Sequence, residues 1–245
     1  MRKRRIKLGN LFVLLGGCLL IALVSYFTVK RLFFIDEVEI TPEIVEVDKE
    51  SKIIVVDAGH GGYDDGAIAY DGSKEKEIAL AVSKYLELYL DYEQYDVIMT
   101  RDSDEVDWSS DNVEDLAARS KIANESGGLL FVSLHCNDSD IADASGDEIY
   151  VYFEQEESYK LAEKVNNQLK NLPLQNREMK DAGEYPLQVL ADNKIPSIII
   201  EMGFLSNQAD TDYLNSEEGQ KEMAYYITQG NKDYVASLDE VQTAQ

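Results

Sequence analysis

From Lys52 onward, apolar runs of strand length alternate with segments of helical period, a pattern that leaves little besides an α/β domain open to the chain. The runs at residues 53–56, 96–100, 129–134, 148–153, 187–190 and 197–200 read as strands, and residues 75–90, 113–124, 159–172 and 219–235 as helices. The first helix rests on Ile78, Val82, Tyr85, Leu86 and Tyr89, which recur at three- and four-residue steps and so share one face. Unbroken apolarity at 197–200 marks a central strand buried on both sides. The expected fold is a single three-layer α/β domain over residues 52–236, with a central, mostly parallel, twisted sheet flanked by helices and a tail at 237–245.

Different material precedes it. Arg2, Lys3, Arg4, Arg5 and Lys7 stand before residues 11–29, which carry no charge. At ~1.5 Å per residue that stretch spans about 28 Å, close to the ~30 Å hydrocarbon core of a bilayer. Only Lys30 and Arg31 follow before Asp36, Glu37 and Glu39, so the positive-inside bias puts the amino terminus in the cytoplasm and the rest outside. A cleaved signal would need a shorter apolar run, ~7–15 residues, and a small-x-small site. Leu15-Gly16-Gly17-Cys18 loosely matches a lipidation box, but residues 19–24 stay apolar instead of turning polar. The reading is a basic cytoplasmic segment at 1–10, an uncleaved transmembrane anchor at 11–29 and an acidic stalk at 30–51.

Beyond residue 32 the chain keeps 16 basic residues against 47 acidic ones, a net of −31. That excludes nucleic acid as a partner and argues against simple electrostatic capture by anionic polymers, so any ligand must be recognised locally. Two cysteines, Cys18 and Cys136, exclude a disulfide framework.

Three strands end in polar residues: Asp57-Ala58-Gly59-His60-Gly61-Gly62, His135-Cys136-Asn137, and Glu201-Met202-Gly203-Phe204. In open α/β sheets, sites form in the crevice beyond the carboxyl ends of the strands. The chain's only two histidines, His60 and His135, both fall in this set, which points to a metal or acid-base site. Two imidazoles and a carboxylate make a zinc set that leaves a position open for water. For the carboxylate, Glu75 and Glu77 compete at the start of the first helix, and spacing does not choose between them or exclude a solvated helix start. Glu201 closes an apolar strand, where a carboxylate needs a partner or a purpose; general base is a purpose that fits. An acid merely bonded to backbone amides is the structural alternative.

The segments 56–64, Gly66-Ala67, Gly72, Glu75-Lys76, Thr100-Arg101, Arg119, Ala123-Asn124, Ser133-Leu134-His135, Gly146 and 201–207 closely resemble the N-acetylmuramoyl-L-alanine amidase family, in order and spacing. The resemblance implies one zinc ion held by His60, Glu75 and His135, choosing Glu75 over Glu77, with Glu201 as catalytic carboxylate. It implies hydrolysis of the amide between N-acetylmuramic acid and L-alanine in peptidoglycan, outside the cell and facing the wall. Asn137 is a candidate for binding substrate or for capping its strand, and Arg177 or Lys180 for contacting a stem-peptide carboxylate. Relatives often carry a glycine after that arginine, where this chain has Glu178. Cys136 stands where a small residue is more usual, and strand alternation turns it away from His135. No spare long helix lies between Asn137 and Glu201, so an open site with no obligatory protein activator is expected. The competing function is a zinc-dependent wall-binding protein with little or no catalysis. An esterase is excluded because its Gly-x-Ser-x-Gly elbow is missing.

Overall fold

The computed structural model describes residues 51–243 apart from residues 142 and 186; the anchor expected at 11–29 and, except for Ser51, the stalk expected at 30–51 lie outside them. Among the described residues no helix is long and apolar enough to cross a membrane. Six strands, β1 (Ile53–Ala58), β2 (Asp96–Met99), β3 (Leu130–Asn137), β4 (Asp147–Val151), β5 (Asn176–Asp181) and β6 (Ser197–Phe204), form one sheet in the order β2-β1-β3-β6-β4-β5. The first four in that order run parallel, β4 is antiparallel to β6, and β5 is parallel to β4. The reversal has a local cause. The nine residues 138–146 between β3 and β4 are too few for the crossover of a dozen or more residues that a parallel return requires, so β4 starts where β3 ended and runs back. β6 later fills the place between them.

Alternation along the central strands separates two faces. Ile54, Val56, Val132, Leu134, Ile198 and Ile200 are fully buried against helices α1 (Glu75–Tyr92), α3 (Glu156–Leu169) and α6 (Glu217–Thr243). α1 meets them with Ile78, Val82, Leu86 and Leu90, one residue per turn. The opposite face, carrying Val55, Phe131 and Ile199, is covered by α2 (Asn112–Glu125) and the single turn α4 (Gln188–Ala191), which Ser120 Oγ links through the carbonyl of Val189. Toward the carboxyl end this second face turns polar, with Asp57, Ser133, His135 and Glu201. The site is built there.

The sheet is mixed but mostly parallel, as expected, with one antiparallel pairing. Four other expectations change. Residues 187–190 fall in and just before the helical turn α4 instead of a strand, because so short an apolar run has the same pattern in either conformation. Residues 176–181 form the edge strand β5, whose polar sequence NREMKD hides it. Helix α5 (Gln208–Asn215) is added, its amino end capped by the Asn207 side chain accepting from Ala209 N and Asp210 N. The closing helix α6 continues to Thr243, past the expected start of the tail.

Candidate metal and catalytic site

The loop after β1 leaves its strand abruptly, with His60 at φ 57°. That conformation costs a non-glycine residue roughly 1–2 kcal/mol, so the surroundings must impose it. Two buried arginines do so. Arg101 donates through Nε to the Ala58 carbonyl (2.9 Å) and through Nη2 to the carbonyls of Gly59 and Lys76 (both 2.8 Å). Arg119 donates through Nη1 to the Ala58 carbonyl (2.9 Å) and through Nη2 to the His60 carbonyl (2.7 Å). Arg119 is held in turn by Asp57 (2.8 Å) and Asp115 (2.6 Å), and Asp57 also accepts from Thr100 and Ser133. Burial alone would raise the Asp57 carboxyl, but Arg119 and its other partners hold it below the usual carboxylate range. This network explains why Thr100, Arg101, Arg119 and Ser133 accompany the histidine motifs.

His60 Nε2 and His135 Nδ1 each lie 3.0 Å from Glu75 Oε1 and 3.2 Å from one another. Four ligands at ~2.0–2.1 Å around one zinc ion stand about 3.3–3.4 Å apart, so the three donor atoms nearly match a tetrahedral face. The donor set therefore fits the metal. Glu75 is the first residue of α1 and is 3% exposed, whereas Glu77 points to solvent; the fold selects between them. Among the described residues no fourth His, Cys, Asp or Glu joins the cluster. Two of the three ligands, His60 and Glu75, are oriented from behind. Asp64 Oδ2 takes His60 Nδ1 at 2.7 Å, and Glu75 accepts from Cys136 N on Oε1 and Ala67 N on Oε2, both at 2.9 Å. Burial disfavours the imidazolium of His60, but the Glu75 and Asp64 carboxylates outweigh it and lift its pKa to about 9. Gly59 makes room for this packing, since a Cβ there would sit 2.4 Å from the His135 ring.

Strand register supplies the second element. His135 on β3 pairs with Glu201 on β6, and Glu201 pairs with Glu148 on β4, which sets three side chains in a row on the polar face. Glu201 Oε2 is buried and has no hydrogen-bond partner, unlike an acid kept for bonding backbone amides. Burial pushes its pKa up to about 7; the histidines oppose the shift, and Glu75 and Glu148 add to it. Cys136 faces the other way, buried in the apolar core with its thiol pKa raised by burial, as alternation requires.

Two of the expected substrate residues, Asn137 and Arg177, adjoin this row through Glu148, and the third, Lys180, lies farther along the sheet. Asn137 gives its amide to Glu148 Oε2 (3.3 Å) and accepts from Asp138 N (2.9 Å). Arg177, on β5, is ion-paired with Glu148, and Lys180 pairs in register with Tyr150, two residues beyond Glu148 on the same face. Glu148 itself escapes sequence reading. It opens an unremarkable strand beside Asp147, and only its register with Glu201 singles it out.

With this geometry in view, the likeness to known proteins is informative. The profile of the family described as N-acetylmuramoyl-L-alanine amidase matches residues 54–232. Bacillus subtilis YqiI, described as uncharacterized, is 37% identical over 76% of this chain and 85% of that protein. The germination-specific N-acetylmuramoyl-L-alanine amidase of Bacillus subtilis is 32% identical over 73% of this chain and 78% of that protein. Among solved structures, the amidase AmiC2 of Nostoc punctiforme superposes with a TM-score of 0.67 at 33% identity, covering 75% of this chain and 97% of that one. The CwlD amidase of Clostridioides difficile, solved in complex with the GerS lipoprotein, reaches 0.70 at 32% identity, covering 76% and 100%. From its motifs, its sheet and these matches together, the chain belongs to the N-acetylmuramoyl-L-alanine amidase family.

Proposed function

We propose that this chain is a zinc-dependent hydrolase that cleaves the amide between N-acetylmuramic acid and the first L-alanine of the peptidoglycan stem. The observation that carries the reading is the coincidence of three metal-donor atoms 3.0–3.2 Å apart with a carboxylate one strand away, Glu201, whose Oε2 is buried and unpartnered. His60, Glu75 and His135 would hold the ion, one per chain. When bound, zinc polarises the scissile carbonyl and makes water acidic enough to attack near pH 7. Glu201 takes the proton of that water and passes it to the departing amine of L-alanine, so the C–N bond breaks to a carboxylate and a free amino terminus. Asp64, bonded to His60 Nδ1, leaves Nε2 free and would hold the imidazole in the orientation in which Nε2 serves as the ligand. Asn137 and Arg177, joined to Glu148 beside Glu201, would contact the peptide, with Lys180 farther along the same face as a further candidate.

The side chains of His60 and His135 are each 22% exposed, which supports a site reachable without an activating partner. The uncharged span at 11–29 supports a single-pass anchor with the domain outside, facing the wall. The test is digestion of purified peptidoglycan by the full chain in detergent. New L-alanine amino termini are expected, abolished by a chelator and restored by zinc, with Glu201→Gln slowed about 10²–10⁴-fold. New reducing sugar ends would overturn the reading, and binding without products would favour the wall-binding alternative. Inertness until a second protein is added would refute the open site, and loss of the domain to protease in intact protoplasts would support the topology.

A further inference from the structure

Glu148 ends the row that runs from His135 through Glu201, and Arg177 stands beside it, yet no step of the hydrolysis uses Glu148. It is 3% exposed and adjacent in register to the half-buried Glu201, whose Oε2 is itself buried, so the fold keeps two carboxylates side by side on one face, largely out of water. Such a pair is costly unless something compensates it. Three groups converge on Glu148: Arg177 Nε donates to Oε1, while Asn137 Nδ2 and the Tyr150 hydroxyl each donate to Oε2 at 3.3 Å.

Arg177 reaches this position through a β-bulge. Asp147 pairs with Asn176 and Ile149 with Met179, so Arg177 and Glu178 together oppose Glu148, and Glu178 takes φ 67° to close the bulge. The Arg177 guanidinium also lies over the Phe204 ring, 5.0 Å from its centroid. Its Nε and one face are thereby engaged. Its side chain remains 32% exposed, and no hydrogen bond among the described residues uses either terminal nitrogen. An arginine held this way offers a planar edge of N–H donors with little freedom left to lose, the arrangement that suits a carboxylate.

We propose that Glu148 is a positioning residue: it fixes the Arg177 guanidinium and the Asn137 amide beside Glu201 so that Arg177 receives a carboxylate of the substrate peptide. This rests on the amidase reading and assigns a specificity device to the same cleft. Glu148 acts only through its partners.

The experiment compares two synthetic N-acetylmuramoyl peptides, one with free carboxylates and one with them amidated, using zinc-loaded full chain, Arg177→Ala, Arg177→Lys and Glu148→Gln. The wild type should show a KM roughly tenfold lower for the free acid, the worth of one charge-assisted bond. Arg177→Ala should lose that preference, Arg177→Lys should keep part of it, and Glu148→Gln should lose most of it although the substituted side chain would reach no substrate atom. Zinc content and thermal unfolding identify variants that fail to fold, and Glu148→Asp then replaces Glu148→Gln. An unchanged preference in Glu148→Gln overturns the proposal, as does a fall in kcat that is equal on both substrates. Wild-type protein that cleaves neither peptide refutes the amidase reading itself, a result separable from wild-type cleavage without preference.

Discussion

The two sides of the cleft are built differently. On the metal side, the carbonyls of residues 58–60 are held by two buried arginines, and each ligand has a second hydrogen-bond partner or a packed neighbour behind it. On the outer side, β4 and the edge strand β5 hold Arg177 through one carboxylate, one aromatic face and a bulge whose second residue has φ 67°. Metal chemistry requires donor positions good to a few tenths of an ångström, and the fold over-determines them. Recognition of a flexible peptide tolerates a more lightly braced wall.

The sharpest way to break the contrast is to remove the central brace on each side. Arg119→Met leaves Asp57 and Asp115 buried without their cation and should cost about 3–5 kcal/mol in denaturant unfolding. Arg177→Met leaves Glu148 two other donors and should cost about 1–2 kcal/mol. Equal losses would mean that the two sides are equally braced.

A smaller effect is expected from Asp64→Asn, which weakens the orientation of His60 without removing a ligand. Zinc affinity, measured by competition with a chromogenic chelator, should fall about 10–100-fold. A change below twofold would show that the backbone cradle alone orients the ring.

Acidity sharpens the comparison next. Because the metal-free His60 has its pKa lifted to about 9, zinc must displace a proton at every pH below that, and affinity should rise about tenfold per unit from pH 6.5 toward 9 before levelling. For the metal-free fold the sign reverses. A raised folded-state pKa stabilises fully below the ordinary value of ~6.5, and that contribution fades as pH climbs through 9. Chelator competition and thermal unfolding over the same pH series should therefore move in opposite directions.

The smallest expected change lies at the bulge. Glu178→Gly relieves a left-handed non-glycine residue and should stabilise by about 0.5–1 kcal/mol after the added chain entropy is counted, or roughly 2 °C in Tm. Destabilisation would mean that the Glu178 side chain contributes something the geometry does not reveal.

Legibility in the sequence follows the same division. The metal side can be read because its residues sit where local pattern changes sharply, apolar strands ending in histidine or glutamate, and because only two histidines exist to choose from. The choice of Glu75 over Glu77 comes from family likeness, and the structure supplies the physical reason: the first residue of α1 turns inward and the third outward. The outer side cannot be read. β5 is an edge strand of polar residues, so hydrophobic alternation has nothing to act on, and Glu148 resembles any charged residue at a strand's start. The turn at residues 188–191 reads as a strand because so short an apolar run carries no period.

By itself the sequence determined the α/β class, most of the elements, the two histidines and the buried glutamate, since these depend on residue type and spacing within one element. Tertiary structure alone decided the mixed sheet, the insertion of β6 between β3 and β4, and the row His135, Glu201, Glu148. Glu201 is far along the chain from the other two, and the register that sets it between them is fixed by the packing of the whole sheet.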